Sequence, residues 1–346
     1  MPRQLYVFGS NGEGQLGIPA AEIVSTPTMA DHSLPLESLE SICGGDNHTL
    51  FLTEQQEAFG VGDNRKLQLA SGPEQPSLFE ACHKLDSGVS YTAATCESSA
   101  CIKTLPDRRQ SQVLIRGAGH WGELGVGDDN AHCSITIPGA VIDFAAGVWH
   151  YVVLLEDGSV YGWGKARLGQ LGDQLAGKVL RPIKIENTPF APKRVVCGKD
   201  FTYLVGDAST GEHLILGKDK FNIISGMPPN INGWKDVGAT WHSIFVLLHS
   251  GKLIAWGRNT MWELIPPGLP LIDKIAIGSE HVLALTKDGK LLSWGWGKHG
   301  NCGDLSKLQE KIENDMITGF WNEIDLPGRV EFIGAGYCTS FVVTQT

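Results

Sequence analysis

The sequence predicts an all-β fold, a seven-bladed β-propeller that spans residues 1–346 as one domain and closes by pairing its N- and C-terminal strands. Three observations predict it. A turn led by glycine, or once by alanine, followed by an apolar strand recurs seven times, and a second glycine word recurs out of phase with it. The last repeat is also incomplete until the first strand of the chain is added to it. Copies separated by about 40 to 60 residues lie in the range of radial repeat folds.

In chain order the turns line up as Gly45-Asp46-Asn47-His48, Gly88…Tyr91, Gly147-Val148-Trp149-His150, Gly198…Phe201, Ala239-Thr240-Trp241-His242, Gly278-Ser279-Glu280-His281 and Gly336…Thr339. Apolar runs follow them, such as Thr49-Leu50-Phe51-Leu52 and Val282-Leu283-Ala284-Leu285. The second word reads Phe8-Gly9…Gln15-Leu16-Gly17, Trp163-Gly164…Gln170-Leu171-Gly172, Trp256-Gly257…Glu263-Leu264 and Trp294-Gly295…Asn301-Cys302-Gly303. Weaker copies sit at Val61-Gly62, Arg116-Gly117 and Leu216-Gly217. After Gly336 only Thr339 to Thr344 remain, and the missing partner stands at the other terminus as Leu5-Tyr6-Val7-Phe8-Gly9. Closing a ring in this way removes the free edges that a sheet otherwise presents.

Composition agrees with this architecture. Glycine accounts for 43 of 346 residues, above the usual ~7 %, as tight turns with positive φ require. No apolar run is long enough for a membrane-spanning helix, and the opening Met1-Pro2-Arg3-Gln4 lacks the apolar core of a secretory signal. The eight cysteines are scattered without a Cys-x-x-Cys pair, which favours reduced structural thiols over zinc or disulfides. A net charge of −10, with basic clusters only at Lys103…Arg108-Arg109 and Lys193-Arg194, argues against direct nucleic-acid binding.

Catalytic and metal signatures are missing. His48, His150, His242 and His281 align at one repeat position, but equivalent positions in different blades lie on a circle and do not converge on one ion. Each imidazole is expected to tie its turn to a neighbouring group. Gly117-Ala118-Gly119-His120-Trp121-Gly122 spells a dinucleotide motif, yet it lacks the strand-to-helix context that motif needs. No enzyme activity, metal or cofactor is expected.

The tryptophans fall into two classes. Trp163, Trp256 and Trp294 occupy the repeat strand and read as packing between blades. Trp149 and Trp241 sit in turns where other copies carry Asp46-Asn47, Lys199-Asp200 or Glu280, so these seven residues form the candidate partner-binding rim. Two insertions interrupt the spacing. Residues 97–112 lengthen a hairpin and read as an exposed loop. In 304–328 the apolar residues Leu305, Leu308, Ile312 and Met316 follow the spacing of an amphipathic helix.

These words resemble the repeat of the regulator-of-chromosome-condensation superfamily, whose members form seven-bladed propellers. Trp294 to Gly303, Gly9-Ser10-Asn11-Gly12…Gln15-Leu16-Gly17, Cys43 to His48, Gly62-Asp63-Asn64-Arg65, Gly198 to Phe201 and Gly278 to His281 resemble most closely the yeast killer-toxin-insensitivity branch, also called alpha-tubulin suppressor. The resemblance runs nearly end to end. It implies a non-enzymatic scaffold that forms a heterodimer with the small CSL-domain zinc- or iron-binding protein of diphthamide synthesis. It further implies work with Elongator in wobble-uridine modification of tRNA, in the cytoplasm and nucleus. The alternative within the superfamily is guanine-nucleotide exchange on a Ran-type GTPase. The plant ultraviolet-B receptor's Gly-Trp-Arg-His-Thr motif is matched only in part, because no arginine separates Trp149 from His150 or Trp241 from His242.

Overall fold

Seven antiparallel sheets stand around one axis in the computed structural model, which describes residues 2–30, 34–70, 77–127 and 132–346 and so leaves Met1 outside. Counting each blade from its innermost strand, blade 1 comprises Leu39–Gly44, His48–Thr53, Glu57–Asp63 and Leu78–Ser87. Blade 2 comprises Tyr91–Ala94, Ser98–Thr104, Gln110–Gly117 and His132–Pro138, and blade 3 Val141–Ala146, His150–Leu155, Val160–Lys165 and Lys178–Lys184. Blades 4 and 5 have three strands each among the described residues: Arg194–Cys197, Phe201–Val205 and His213–Gly217, then Trp234–Ala239, Ser243–Leu248 and Leu253–Gly257. Blade 6 comprises Ile272–Ile277, His281–Thr286, Leu291–Trp296 and Met316–Ile324.

Blade 7 joins both ends of the chain. Arg329–Ala335 and Thr339–Gln345 pair with Arg3–Asn11 and Ala21–Ala30, with Leu5 opposite Val343, Val7 opposite Phe341 and Gly9 opposite Thr339. All of Leu5, Val7, Phe341 and Val343 are buried, so closure is held by packing as well as by the ladder. The ring therefore closes where the sequence expects.

The second strand of each blade is apolar nearly throughout because neighbouring blades cover both of its faces. His48–Thr53, His150–Leu155 and His281–Thr286 are buried along their whole length. The outermost strands meet water and read differently; Ala21–Ala30 is mostly exposed. Blades are also tied through indoles. Trp163 Nε1–H donates to the Glu123 carbonyl (2.8 Å), Trp256 to Ile223 (2.9 Å) and Trp294 to Leu264 (2.9 Å), each acceptor lying in the preceding blade's loop. These three indoles are buried packing residues, as expected.

Both expected insertions differ in the structure. Residues 97–112 are mostly strand: Ser98–Thr104 and Gln110–Gly117 pair residue by residue, Ser98 through Ile102 are buried, and only Leu105–Arg109 form the turn. The expected helix over Leu305–Met316 is a short 3-10 helix, Ser306–Lys311. Its chain reverses at Asn314 and Asp315, with φ of 53° and 60°, so that Met316 can start the outer strand against Trp296. Leu305, Ile312 and Met316 still pack on blade 6. Their spacing records contact with that blade rather than helical periodicity.

Candidate partner-binding face

Every blade turns between its first and second strands through the same four positions, closed by one backbone hydrogen bond. The donor and acceptor are Gly45 and His48, Thr95 and Ser98, Gly147 and His150, Gly198 and Phe201, Thr240 and Ser243, Gly278 and His281, and Gly336 and Thr339, at 2.8–3.1 Å. This register corrects the sequence alignment in two blades. The blade 2 turn is Thr95-Cys96-Glu97-Ser98, not Gly88…Tyr91, and the blade 5 turn begins at Thr240, one residue later than expected. Glycines at the end of the third strands give the same register independently. A side chain on Gly164 would meet the Trp149 carbonyl at 2.5 Å, and one on Gly257 the His242 carbonyl at 2.5 Å. Trp149 is therefore equivalent to His242 and not to Trp241.

The fourth position explains the histidines. His48, His150 and His281 are buried there, whereas His242 is displaced to the third position. In blade 3 the Thr202 hydroxyl gives its proton to the Gln170 carbonyl (2.7 Å), so it accepts from His150 Nε2–H (3.1 Å). Ser340 does the same between Asn301 (2.7 Å) and His281 (3.0 Å). Burial holds His48 and His150 down to about 4 and His281 to about 3, so all three rings are neutral. His150 and His281 tie neighbouring blades, whereas neither ring nitrogen of His48 has a hydrogen-bond partner among the described residues. No group of three histidine, cysteine or carboxylate side chains capable of holding a metal ion occurs among the described residues.

The second and third positions face one rim and form two circles. At the second position stand Asp46, Cys96, Val148, Lys199, Trp241, Ser279 and Tyr337. Their backbones are linked head to tail in two arcs, over blades 1–3 and blades 4–7: Asp46 N–H donates to Cys96 (3.1 Å) and Cys96 to Val148 (3.1 Å), then Lys199 to Trp241 (2.9 Å), Trp241 to Ser279 (2.8 Å) and Ser279 to Tyr337 (2.9 Å). Val148, Trp241, Ser279 and Tyr337 border the central channel, a cavity of about 700 Å³ lined by the innermost strands of all seven blades. At the third position stand Asn47, Glu97, Trp149, Asp200, His242, Glu280 and Cys338.

The seven candidate residues thus share one rim but not one environment. Trp241 is half-buried, edge-on to Tyr337 (5.6 Å between rings), with Lys199 Nζ 5.1 Å from its ring centre. Its Nε1 is buried without a hydrogen-bond partner. Trp149 is half-buried in the outer circle, and its carbonyl accepts from Lys165 N–H (2.8 Å). Asp46 is exposed, with its carboxyl raised by partial burial and by Glu97; Asn47 Oδ1 accepts from Gln15 Nε2 at 3.5 Å. Asp200 pairs with Lys165 (3.0 Å) and Lys220 (3.9 Å). Glu280 lies 3.9 Å from Arg258, yet burial lifts its carboxyl to about 7. Asp200 and Glu280 thus face cations supplied by neighbouring strands and loops.

Residues that sequence reasoning passed over complete the face. Trp121 has Lys165, Arg167 and Lys178 around its ring at 5.5–5.6 Å, while Glu97 pairs with Lys66 and with His120 (3.1 Å). Tyr337, Phe221 and Arg258 were equally missed: Tyr337 and Phe221 reach Trp241 and His242 across blade boundaries, and Arg258 reaches His242 from the end of the third strand of the same blade. The signal that could have fixed the register was a pairing within the turn. Glycine at the first position accompanies a ring at the fourth in blades 1, 3, 4 and 6 (His48, His150, Phe201 and His281) and Thr339 in blade 7, whereas threonine accompanies serine in blades 2 and 5, as Thr95 Oγ1 and Ser98 Oγ show at 2.7 Å.

Comparison with known proteins agrees with this architecture. Models of the regulator of chromosome condensation (RCC1) repeat match residues 4–52 and 157–205, and a second model of that repeat matches 141–170 and 272–301. An RCC1 repeat-containing protein of Schizosaccharomyces pombe is 29 % identical, with 99 % of each chain covered. The secretion-regulating guanine nucleotide exchange factor of Mus musculus is 27 % identical over 99 % of this chain and 83 % of its own. Among solved structures, Prp20p of Saccharomyces cerevisiae superposes with a TM-score of 0.81 at 19 % identity, covering 100 % of this chain and 92 % of that one. The chain is thus a seven-bladed β-propeller, and segments of it match models of the regulator of chromosome condensation (RCC1) repeat.

Proposed function

We propose that this propeller is a non-enzymatic scaffold that holds a small CSL-domain metal protein on its turn face. It would act with that partner in diphthamide formation on elongation factor 2 and, with Elongator, in wobble-uridine modification of tRNA, in the cytoplasm and nucleus. The partner's identity rests on the resemblance of Trp294 to Gly303 and its sister words. The use of this face rests on one observation: Trp241 lies half-open at the channel mouth, between Tyr337 and Lys199. A rigid indole with a cation on its face is a common anchor of protein interfaces. Trp241→Ala should weaken binding of the CSL-domain partner in calorimetry by ~2 kcal/mol, about 30-fold, with an unchanged melting temperature. Normal binding by that variant, or its unfolding, would remove Trp241 from the interface.

A second reading is nucleotide exchange on a Ran-type GTPase. It is favoured by the relative named as an exchange factor and by the Prp20p structure, which was described with its binding to Gsp1p and histones. Under the scaffold reading, micromolar propeller leaves GTPase nucleotide release unchanged. A stimulation of ~10²-fold, a barrier lowered by ~2.7 kcal/mol, would put exchange first.

A further inference from the structure

We propose that the sector of the turn face spanning blades 3 to 5 is a docking site for an acidic protein segment carrying an apolar side chain between its carboxylates. The proposal rests on the turn face being a docking face, but not on which partner uses it. A pocket of about 290 Å³ opens there, between the loop that follows the third strand of blade 4 and the turn of blade 5. Its apolar wall is Leu168, Phe201 and Ile223, and Lys218 and Lys220 stand at its edge with the His242 ring. Phe201 and Ile223 are buried, whereas both lysines are exposed. The volume suits one aliphatic side chain rather than a nucleotide track.

The surrounding charge is positive, although the chain as a whole carries −10. Lys165, Lys199, Lys218, Lys220 and Arg258 converge on this sector, and only three carboxylates stand among them. Asp200 sits between Lys165 and Lys220. Asp219 is engaged by its own loop, accepting from the backbone N–H of Ile224 (2.8 Å) and Ser225 (3.1 Å). Glu280, lifted by burial, carries a partial charge near neutral pH. His242 adds no positive charge, since burial and the cations Lys220, Arg258 and Lys199 hold it down to about 4.

The loop is also held in a costly shape. Phe221 and Asn222 have φ of 59° and 57° within the 3-10 turn Lys220–Asn222. A phenylalanine in the left-handed region costs about 1–2 kcal/mol, and such strain tends to persist where it positions a binding group. Here it sets the half-open ring between Lys220 Nζ (5.4 Å) and Arg258 Cζ (5.1 Å), edge-on to His242 (5.0 Å). Two cations are thereby fixed beside an apolar pocket. A continuous nucleic-acid track needs a longer basic stripe without interspersed carboxylates, so protein is favoured over RNA. On a protein of net charge −10, one positive sector also selects the orientation in which an acidic partner approaches.

A fluorescein-labelled acidic peptide, Asp-Glu-Leu-Glu-Asp, is the probe, read by anisotropy on the full chain. Binding at low salt should weaken as salt rises. The double variant Lys218→Glu/Lys220→Glu should lose at least ~10-fold in affinity with its melting temperature unchanged, because both side chains are exposed. Replacing the peptide leucine by serine should weaken binding too, while Arg181→Glu/Lys184→Glu, on the exposed outer strand of blade 3, should not. Absence of binding at low salt, equal binding by the double variant, or tighter binding of a short oligouridine would overturn the proposal. Because the peptide is unrelated to the CSL-domain protein, these outcomes are separable from failure of the Trp241→Ala test.

Discussion

Gly278 offers the sharpest test of why the turns have their sequence. A Cβ added there would lie 2.0 Å from His281 Cε1, 2.3 Å from His281 Nδ1 and 2.8 Å from the Gly336 carbonyl. The imidazole cannot swing away freely, because its Nε2–H is bound to Ser340 and Ser340 to Asn301. Gly278→Ala should therefore cost ~1–3 kcal/mol from overpacking and a further ~0.5–1.5 kcal/mol from the hydrogen bond it displaces. His281→Ser should cost ~2–4 kcal/mol, by leaving a cavity and unpairing Ser340. The double variant Gly278→Thr/His281→Ser recreates the pair that blades 2 and 5 use, in which Ser243 N–H donates to Thr240 Oγ1 at 2.9 Å. It should cost at least ~1 kcal/mol less than the sum of the single changes. Urea unfolding followed by tryptophan fluorescence measures all three variants. Additivity within ~0.5 kcal/mol would show that the glycine and the histidine are independent requirements, and the pairing rule would be wrong.

Glu123 occupies the place of Gln15, Gln68 and Gln170, all of which accept from the backbone N–H two residues earlier, as Glu123 does from Trp121 at 2.6 Å. Burial raises its carboxyl to about 7, so the folded chain keeps a proton that the unfolded chain releases near 4.5, and stability from this group falls as pH rises between those values. Glu123→Gln should leave stability unchanged at pH 4.5 and raise it by ~1–3 kcal/mol at pH 8 in denaturant titrations; a gain independent of pH would contradict this. Trp163→Ala should lower unfolding free energy by ~3–5 kcal/mol, since it empties the stack with Tyr151 and Phe144 and leaves the Glu123 carbonyl unpaired. Deleting residues 1–9 removes the strand that joins Ala21–Ala30 to Thr339–Gln345 and should abolish cooperative melting. A truncated chain melting like the intact one would contradict closure in blade 7.

The fold was legible because its defining words mark places where backbones nearly touch. Only glycine fits behind Trp163 or Trp294, and those positions announce the third strand of each blade. Closure was equally legible, since Leu5 to Phe8 has no other partner of matching pattern. The turn register failed where chemistry changed while geometry did not. In blades 2 and 5 a threonine–serine pair replaces glycine and a ring, so alignment on glycine and histidine slipped by seven residues and by one. The candidate rim was half legible. Asp46, Asn47, Lys199, Asp200 and Glu280 do lie on the same rim as both tryptophans, but sequence could not show that Asp200 and Glu280 already face Lys165, Lys220 and Arg258. Those cations come from other blades and from loops after the third strand. Leu305 to Met316 misled for a different reason: a short segment draped over a blade can bury every third or fourth residue without being an α-helix.

The amide links that run from turn to turn at the channel mouth bear on how the protein comes apart. In a linear repeat array the terminal units have one neighbour, and unfolding begins there as fraying. Pairing of Arg3–Gly9 with Thr339–Gln345 leaves this ring without a unit of that kind. Opening any blade must break two interfaces at once, together with at least one amide link such as Trp241 to Ser279. Hydrogen exchange should accordingly report one shared opening free energy for the second strands of all seven blades, rather than a gradient from the ends of the sequence toward its middle.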